Sequence, residues 1–400
     1  MIMKVRSVKQ LKNLSGKRVM ARVDFNVPTD KGKVIDDSRI LASIPTIAYL
    51  MKKGAKVILV SHLGRPEGYD KKLSLAPVAG RLQEIFNFQF SIFKQFSISK
   101  FSNYFEKMRE EIDKMKGGRV LMLENIRFFE GERENDKKFA KELAGLADYF
   151  VLDGFAVAHR DSPSVSGLAK YIPAYAGLLL EKEIIGLSKA IEKPKKPFVL
   201  VLGGAKMETK LPVLKNLLSK ADYVLIGGGL FNTYLLAKGY KVGKSLVDKK
   251  YKKEALKLLK NKKVILPVDV VVGDGAGNKA RVVVVGSEFK IKSLEGVYDI
   301  GPRTIRLYAQ YIKKAQTIVW NGAMGYFEQK PYDVGTLSIA RLVASRSKGK
   351  AFGIIGGGET LQTMEKVKMT EFVDLVSTGG GAMLEFLAGK SLPGVKVLTR

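Results

Sequence analysis

A chain of 400 residues is longer than one ordinary hydrophobic core, which points to two domains. At 46% hydrophobic and 27% charged it has a globular composition, and the lack of any cysteine excludes disulfides, thiolate metal sites and cysteine nucleophiles. With 69 Lys+Arg against 39 Asp+Glu the net charge is +30, which suits a nucleic-acid binder, an enzyme for polyanionic substrates, or simply a basic surface.

The lysine-rich stretches 248–254 and 257–263 read as solvated helix faces, without the interleaved aromatics of a nucleic-acid surface, so no specific nucleic acid is expected. No continuous apolar segment follows Met1–Arg6, so a secretory signal is not expected. No apolar run approaches the ~18 residues that cross a bilayer. The expectation is a cytoplasmic protein with no membrane partner.

In chain order, the first predicted strand is Lys17–Asp24, followed by Phe25–Pro28, and Ser38 is placed to cap a helix through Leu50. A second strand, Ala55–Val60, runs into Ser61–Pro66, and a helix follows over Leu73–Phe86. The patch Phe86–Phe105 holds seven phenylalanines, first alternating and then at helical spacing. We read it as strand then helix, with rings in the core rather than stacked on nucleotides. A third strand, Arg119–Leu123, leads into Glu124–Gly131, and a fourth, Asp148–Asp153, into Gly154–Arg160. The helix predicted over Leu178–Ile191 is stopped by Pro194 and Pro197 and forms the natural boundary.

The second half repeats the rhythm, with strands predicted at Phe198–Leu202, Tyr223–Ile226, Val264–Pro267, Arg281–Val285, Gln316–Trp320, Ala351–Ile355 and Leu375–Val376. Glycine-rich turns follow several of them, at 227–229, 321–322, 356–358 and 379–381. Strands alternating with helices imply parallel sheets whose functional loops lie at the carboxyl ends. The expected fold is α/β: two doubly wound, Rossmann-like parallel-sheet domains, residues 1–177 and 194–385, joined by a hinge helix over 178–193 and facing each other across a cleft.

The residues just beyond the strands differ between the halves. In the first, the post-strand positions carry Arg22, Asp24, Asn26, Arg39, His62, Arg65, Arg127, His159 and Arg160. Arginine forks match phosphate and carboxylate, and several converging would hold a small polyanion. A single arginine at a strand end is also an ordinary ion-pair residue, and either histidine reads equally as a structural one. In the second half, the apolar run Phe198–Leu202 ends in Gly203 and Gly204, then Lys206 and Lys210 on one face of a starting helix. Amides at a helix start with two lysines suit a polyphosphate, although the stretch is not the G-x-x-x-x-G-K-[ST] loop and an ordinary tight turn has the same pattern. Gly356–Gly358 would take phosphates, Gly227–Gly229 the base, and Glu359 either a magnesium ion or the favourable field of a helix start. A polyanion site facing a nucleotide site suggests a kinase that closes over two substrates. A nucleic-acid binder gives no reason for glycine triplets after strands, and a dehydrogenase would need a G-x-G-x-x-G that is not there.

The segments Arg22–Pro28, Ser61–Pro66, Ser74–Pro77, Glu124–Phe128, Gly203–Lys206, Trp320–Gly322 and Ser377–Ala382, in this order and spanning nearly the whole chain, resemble the signature segments of the phosphoglycerate kinase family. The resemblance implies reversible phosphoryl transfer between 1,3-bisphosphoglycerate and ADP, giving 3-phosphoglycerate and ATP with magnesium; the sequence does not give the oligomeric state, and a monomer is favoured. Carried over by position, Asp24, Asn26, Arg39, His62, Arg65, Arg127 and Arg160 would hold the phosphoglycerate. Lys206 would meet the transferring phosphoryl and Lys210 the nucleotide phosphates, with Arg39 sharing the catalytic role. Gly203, Gly204, Gly356, Gly357, Gly358 and Thr360 would border the phosphates, Gly227 and Gly228 the adenine, Asn321 the phosphates and Glu328 the ribose. It further implies that the tail 386–400 returns to the first domain. Glu359 stands where the family commonly has Asp, and Ala323 where a proline is usual.

Overall fold

The structure, a computed structural model, describes residues 3–86 and 104–399; the expectation for the phenylalanine-rich patch falls on 87–103 and so lies outside the described residues. The chain forms two compact units. One comprises Met3–Ile185 with the residues from Ser391 onward, the other Gly186–Lys390.

The first unit is built on strands β1 (Arg18–Arg22), β2 (Lys56–Val60), β3 (Val120–Met122), β4 (Tyr149–Leu152) and β5 (Ala174–Ala176). They form one parallel sheet in the order β3-β2-β1-β4-β5. Met20 pairs with Ile58 on one side and Phe150 on the other, and all three are fully buried. Burial on both faces explains why these strands read as continuous apolar runs. The chain winds from β1 outward to β3, then returns to the other side of β1, which makes a switch point between β1 and β4. Ligands of such sheets bind beyond the carboxyl ends of the strands at the switch point. Residues of the carboxyl terminus belong here: Leu398 O accepts from Arg6 N (3.0 Å) and Ala158 O accepts from Gly394 N (2.9 Å).

The second unit contains β6 (Phe198–Leu202), β7 (Tyr223–Ile226), β8 (Val264–Ile265), β9 (Asp269–Gly273), β10 (Arg281–Val284), β11 (Gly296–Ile300), β12 (Thr317–Asn321), β13 (Phe352–Gly356) and β14 (Leu375–Ser377). Six form a parallel sheet in the order β8-β7-β6-β12-β13-β14, with its switch point between β6 and β12. The remaining three depart from the predicted rhythm. β10-β9-β11 is a separate antiparallel sheet, so the strand expected at Arg281–Val285 exists but belongs to no βα repeat. The pattern hid this sheet because polar residues begin or break its strands. Asp269 is buried to accept from the amides of Arg303 (3.0 Å) and Thr304 (2.7 Å), and Asp299 to accept from Gly335 N (2.6 Å).

The helices that concern the site are α1 (Ser38–Lys52), α2 (Leu178–Glu192), α3 (Met207–Leu217), α4 (Gly228–Ala237), α5 (Gly358–Lys366) and α6 (Gly381–Leu387). Ser38 is the first residue of α1 and not its cap; Asp37 precedes the helix, and Asp36 Oδ1 takes the Ser38 amide at 2.9 Å. The start of α2 is tied down by a buried carboxylate. Asp153 Oδ1 accepts from Thr46 Oγ1 (2.6 Å) and Leu179 N (3.1 Å), and Thr46 Oγ1 accepts from Leu178 N (2.9 Å). Burial raises the Asp153 pKa to about 6, against the hydrogen bonds from Thr46 and the helix amides that favour its charge.

Unfolded, the same carboxyl titrates near about 3.9, so between the two values the native state holds more protons and stability falls as pH rises. Asp153→Asn keeps Oδ1 and cannot ionise. We expect it to gain up to ~3 kcal/mol over the parent above pH ~6, with the gap closing as pH falls toward ~4. Thermal midpoints at both ends of that window check this; a variant equally destabilised at both would refute it.

Candidate active site

In the first unit the polar residues after the strands gather at the switch point. Arg22, the last residue of β1, is almost fully buried, and Asp24 follows it. Asp24 Oδ2 accepts from Arg39 Nη1 at 2.5 Å, from the first turn of α1, and its Oδ1 accepts from Asn26 N at 3.4 Å. His62, directly beyond β2, has Nδ1 3.2 Å from Arg22 Nη2 and 3.8 Å from Asp24 Oδ1. Burial, then the charges of Arg22, Arg160 and Arg39, push the His62 pKa well below the usual imidazole range, so the ring is neutral and no ion pair with Asp24 forms. Arg160 is lowered by burial and by Arg65, against the pull of Asp24. Asn26 and Arg127 meet at one residue: Asn26 Oδ1 accepts from Gly64 N (2.9 Å) and Arg127 Nη1 donates to Gly64 O (2.5 Å), which fixes the loop that carries exposed Arg65.

The seven substrate residues expected from the sequence thus share one place, with Asp24 the carboxylate among them. Arg160 Nε is buried there without a hydrogen-bond partner, as is Nδ1 of the adjacent His159. A buried guanidinium nitrogen without a partner, beside several other arginines, suits a place for a ligand. A compact polyanion meets that description.

In the second unit the loops after β6 and β12 meet at the switch point. Gly204 N donates to Ala323 O (2.7 Å) and Gly203 N to Asn321 O (3.0 Å). A Cβ on Gly203 would lie 2.1 Å from Ala323 O, and Gly204 has φ +86°, so both positions need glycine. A cavity of about 340 Å³ opens there, bounded by Gly204, Lys206, Lys210, Asn321, Gly357, Gly358 and Glu359, with Ala205, Thr209, Gly322, Gly380 and Leu384 completing it. The starts of α3 and α5 both face it, so free amides and two helix dipoles favour anions. Asn321 is buried and oriented from both ends, donating from Nδ2 to Gly356 O (2.7 Å) and accepting at Oδ1 from Lys210 Nζ. Burial lowers the Lys210 pKa to about 8, while Glu359 pulls it up.

A second cavity of about 340 Å³ shares Gly204, Ala205 and Glu359 with the first. Its walls are Gly228 and Gly229 at the start of α4, Val297, Tyr298, Tyr326 and Phe327, with exposed Glu328 at the rim. A cavity lined by Lys206 and Lys210, beside one walled by aromatics, suits the polyphosphate and the base of a nucleotide. Gly203, Gly227, Gly356 and Thr360, expected as nucleotide contacts, line neither of these two cavities. They let the loops pack: a Cβ would fall 2.8 Å from Met324 Sδ at Gly227 and 2.1 Å from Met383 Sδ at Gly356, and Thr360 Oγ1 accepts from Gly322 N (2.8 Å). The aromatic wall went unread because Tyr298, Tyr326 and Phe327 look like core residues in sequence. Gly380 and Leu384 had a signal, the last glycine triplet.

The comparisons agree with this geometry. A family model described as phosphoglycerate kinase matches residues 8–390. A phosphoglycerate kinase of Dictyoglomus turgidum is 46% identical over 392 residues, covering 96% of each chain. The structure of phosphoglycerate kinase from Coxiella burnetii superposes with a TM-score of 0.84 at 41% identity over 99% of each chain. The crystal structure of the Pyrococcus horikoshii enzyme does so with 0.83 at 34% identity over 98% of each. The two parallel sheets with their switch-point sites and this likeness along the whole chain have one reading: the chain belongs to the phosphoglycerate kinase family.

Proposed function

We propose that the chain performs the family reaction, reversible phosphoryl transfer between 1,3-bisphosphoglycerate and ADP, giving 3-phosphoglycerate and ATP in glycolysis and gluconeogenesis. The observation that carries this reading is the pair of neighbouring cavities that share Gly204, Ala205 and Glu359, one holding buried Lys210 and the other walled by aromatics. The arginine cluster of the other unit supplies the partner site.

In this reading Asp24, Asn26, Arg39, His62, Arg65, Arg127 and Arg160 hold the phosphoglycerate. Asp24 and Gly64 keep the forks of Arg39 and Arg127 aimed. Gly204, Gly357, Gly358 and Lys210 hold the nucleotide phosphates, while Gly228, Tyr298 and Phe327 enclose the base. Asn321 keeps the Lys210 ammonium in place. Lys206, exposed at the start of α3, reaches the transferring phosphoryl from one side and Arg39 from the other. The carboxylate acceptor is already a competent nucleophile, so these groups align reactants and stabilise charge, without a general base. Transfer then requires residues 1–177 with the tail 386–400 and residues 194–385 to close on each other, with 178–193 as the hinge helix.

Magnesium fits Glu359. Its carboxylate borders both cavities, with Oε2 held by Ala323 N at 3.2 Å, and among the described residues no group of three or more His, Cys, Asp or Glu could hold a metal. An ion held by one carboxylate takes its other ligands from phosphates and water. When bound it would neutralise phosphate charge. No described helix is long and apolar enough to cross a membrane. We take a cytoplasmic monomer as the working form, with no specific nucleic acid bound.

Arg39→Ala and Lys206→Ala should each lower kcat by ~10²–10³ while disturbing ADP affinity far less; equal loss of ADP binding would remove Lys206 from the transfer step. Lys210 gives a pH signature. Its ammonium is present below about 8 and lost above it. ADP affinity measured by calorimetry should therefore fall roughly tenfold as pH rises through that value, and a flat profile would contradict the contact.

A further inference from the structure

We propose that Glu132, Ser164 and Arg22 form a buried positioning chain that fixes His62 with Nδ1 unprotonated and Nε2–H as its donor to the phosphoglycerate; this rests on the reading that His62 meets that substrate. The chain is continuous. Glu132 Oε1 accepts from Ser164 Oγ (2.7 Å) and from Ser162 Oγ (2.8 Å), and its Oε2 accepts from Ser164 N (2.9 Å). Ser164 Oγ in turn accepts from Arg22 Nε (3.0 Å), and Arg22 Nη2 reaches His62 Nδ1 (3.2 Å). Glu132, Ser164, Arg22 and His62 are all buried.

The tautomer follows from donor and acceptor capacity. A guanidinium has only donors, so the ring nitrogen facing it must accept. The rival arrangement, Nδ1–H donating to Asp24, fails on distance: Asp24 Oδ1 is 3.8 Å away, and its oxygens already serve Asn26 N and Arg39. Arg22 has no freedom to turn away, because Nη1 donates to the carbonyls of Val23 and of Val60 (3.3 Å) at the ends of β1 and β2. A buried cation with no direct carboxylate partner needs compensation, and Glu132 provides it through the serine. Presented to an anion, Nε2–H attracts; the other neutral tautomer would present a lone pair and repel. Glu132 and Ser164 do not touch the ligand, and act through Arg22.

The sequence has two histidines, so ¹⁵N-histidine NMR at neutral pH without substrate can read the ring directly, with His62→Gln identifying the signals. The parent protein should show His62 Nδ1 as an unprotonated and Nε2 as a protonated nitrogen; a protonated Nδ1 overturns the proposal whether or not any variant folds. Ser164→Ala should give mixed tautomers and raise the KM for 3-phosphoglycerate about 3- to 10-fold, the size of one neutral hydrogen bond, with nucleotide KM unchanged. Glu132→Gln should act in the same direction. Unaltered ring signals and KM in both variants would refute the chain. If His62→Gln leaves that KM unchanged, the substrate contact fails on its own, while the NMR still judges the tautomer.

Discussion

A strand covered on both faces has only its ends to offer to solvent. All five residues of β6 are fully buried, as are Val19 to Ala21 of β1. Every polar group that meets a ligand must therefore be placed beyond a carboxyl end, where two neighbouring strands send their chains in opposite directions. Gly203–Gly204 beyond β6 and Asn321–Gly322 at the end of β12 obey that constraint in one sheet. Arg22–Asp24 at the end of β1 and Arg160 in the chain after β4 obey it in the other.

The two switch points solve the same electrostatic problem with different materials. In the proposed function a small, highly charged acid would be met by planar arginine forks, whose directions are set by Asp24 and Gly64. In the same proposal a long polyphosphate would be met mainly by backbone amides and helix starts, which need glycines for close approach, with Lys206 and Lys210 as side-chain cations. Protein contacts alone hold the key side chains of both sites. Asn321 is held at both ends, and Arg22 is bound in every direction. Fixed donors of this kind cost no reorganisation during reaction, which is how a site without a general base accelerates transfer.

The sequence made much of this legible. Apolar runs marked the parallel strands, and glycines and arginines after them marked the two kinds of site, because composition at a strand end reports directly on what must approach there. The antiparallel sheet was not legible, since Asp269 and Asp299 interrupt its strands to tie down loops elsewhere in the chain. Tyr298, Tyr326 and Phe327 wall a cavity, yet nothing local separates them from core aromatics. Arg22 reads as one more post-strand cation; that it is buried, and linked to Glu132 across 110 residues of sequence, is visible only in three dimensions. Gly227 and Gly356 carry a second demand that sequence does not separate from ligand approach, since a Cβ at either would meet a methionine sulfur.

Steady-state turnover of the purified protein with ATP, magnesium and 3-phosphoglycerate, the product being drawn off by an NADH-consuming dehydrogenase, bears most directly on whether the two anion sites work together. Paired sites of this kind should give turnover of ~1–100 s⁻¹ or above. Well-folded protein that binds both ligands by calorimetry and shows no turnover would contradict the proposed reaction, because two correctly built anion sites would then not amount to a transfer site.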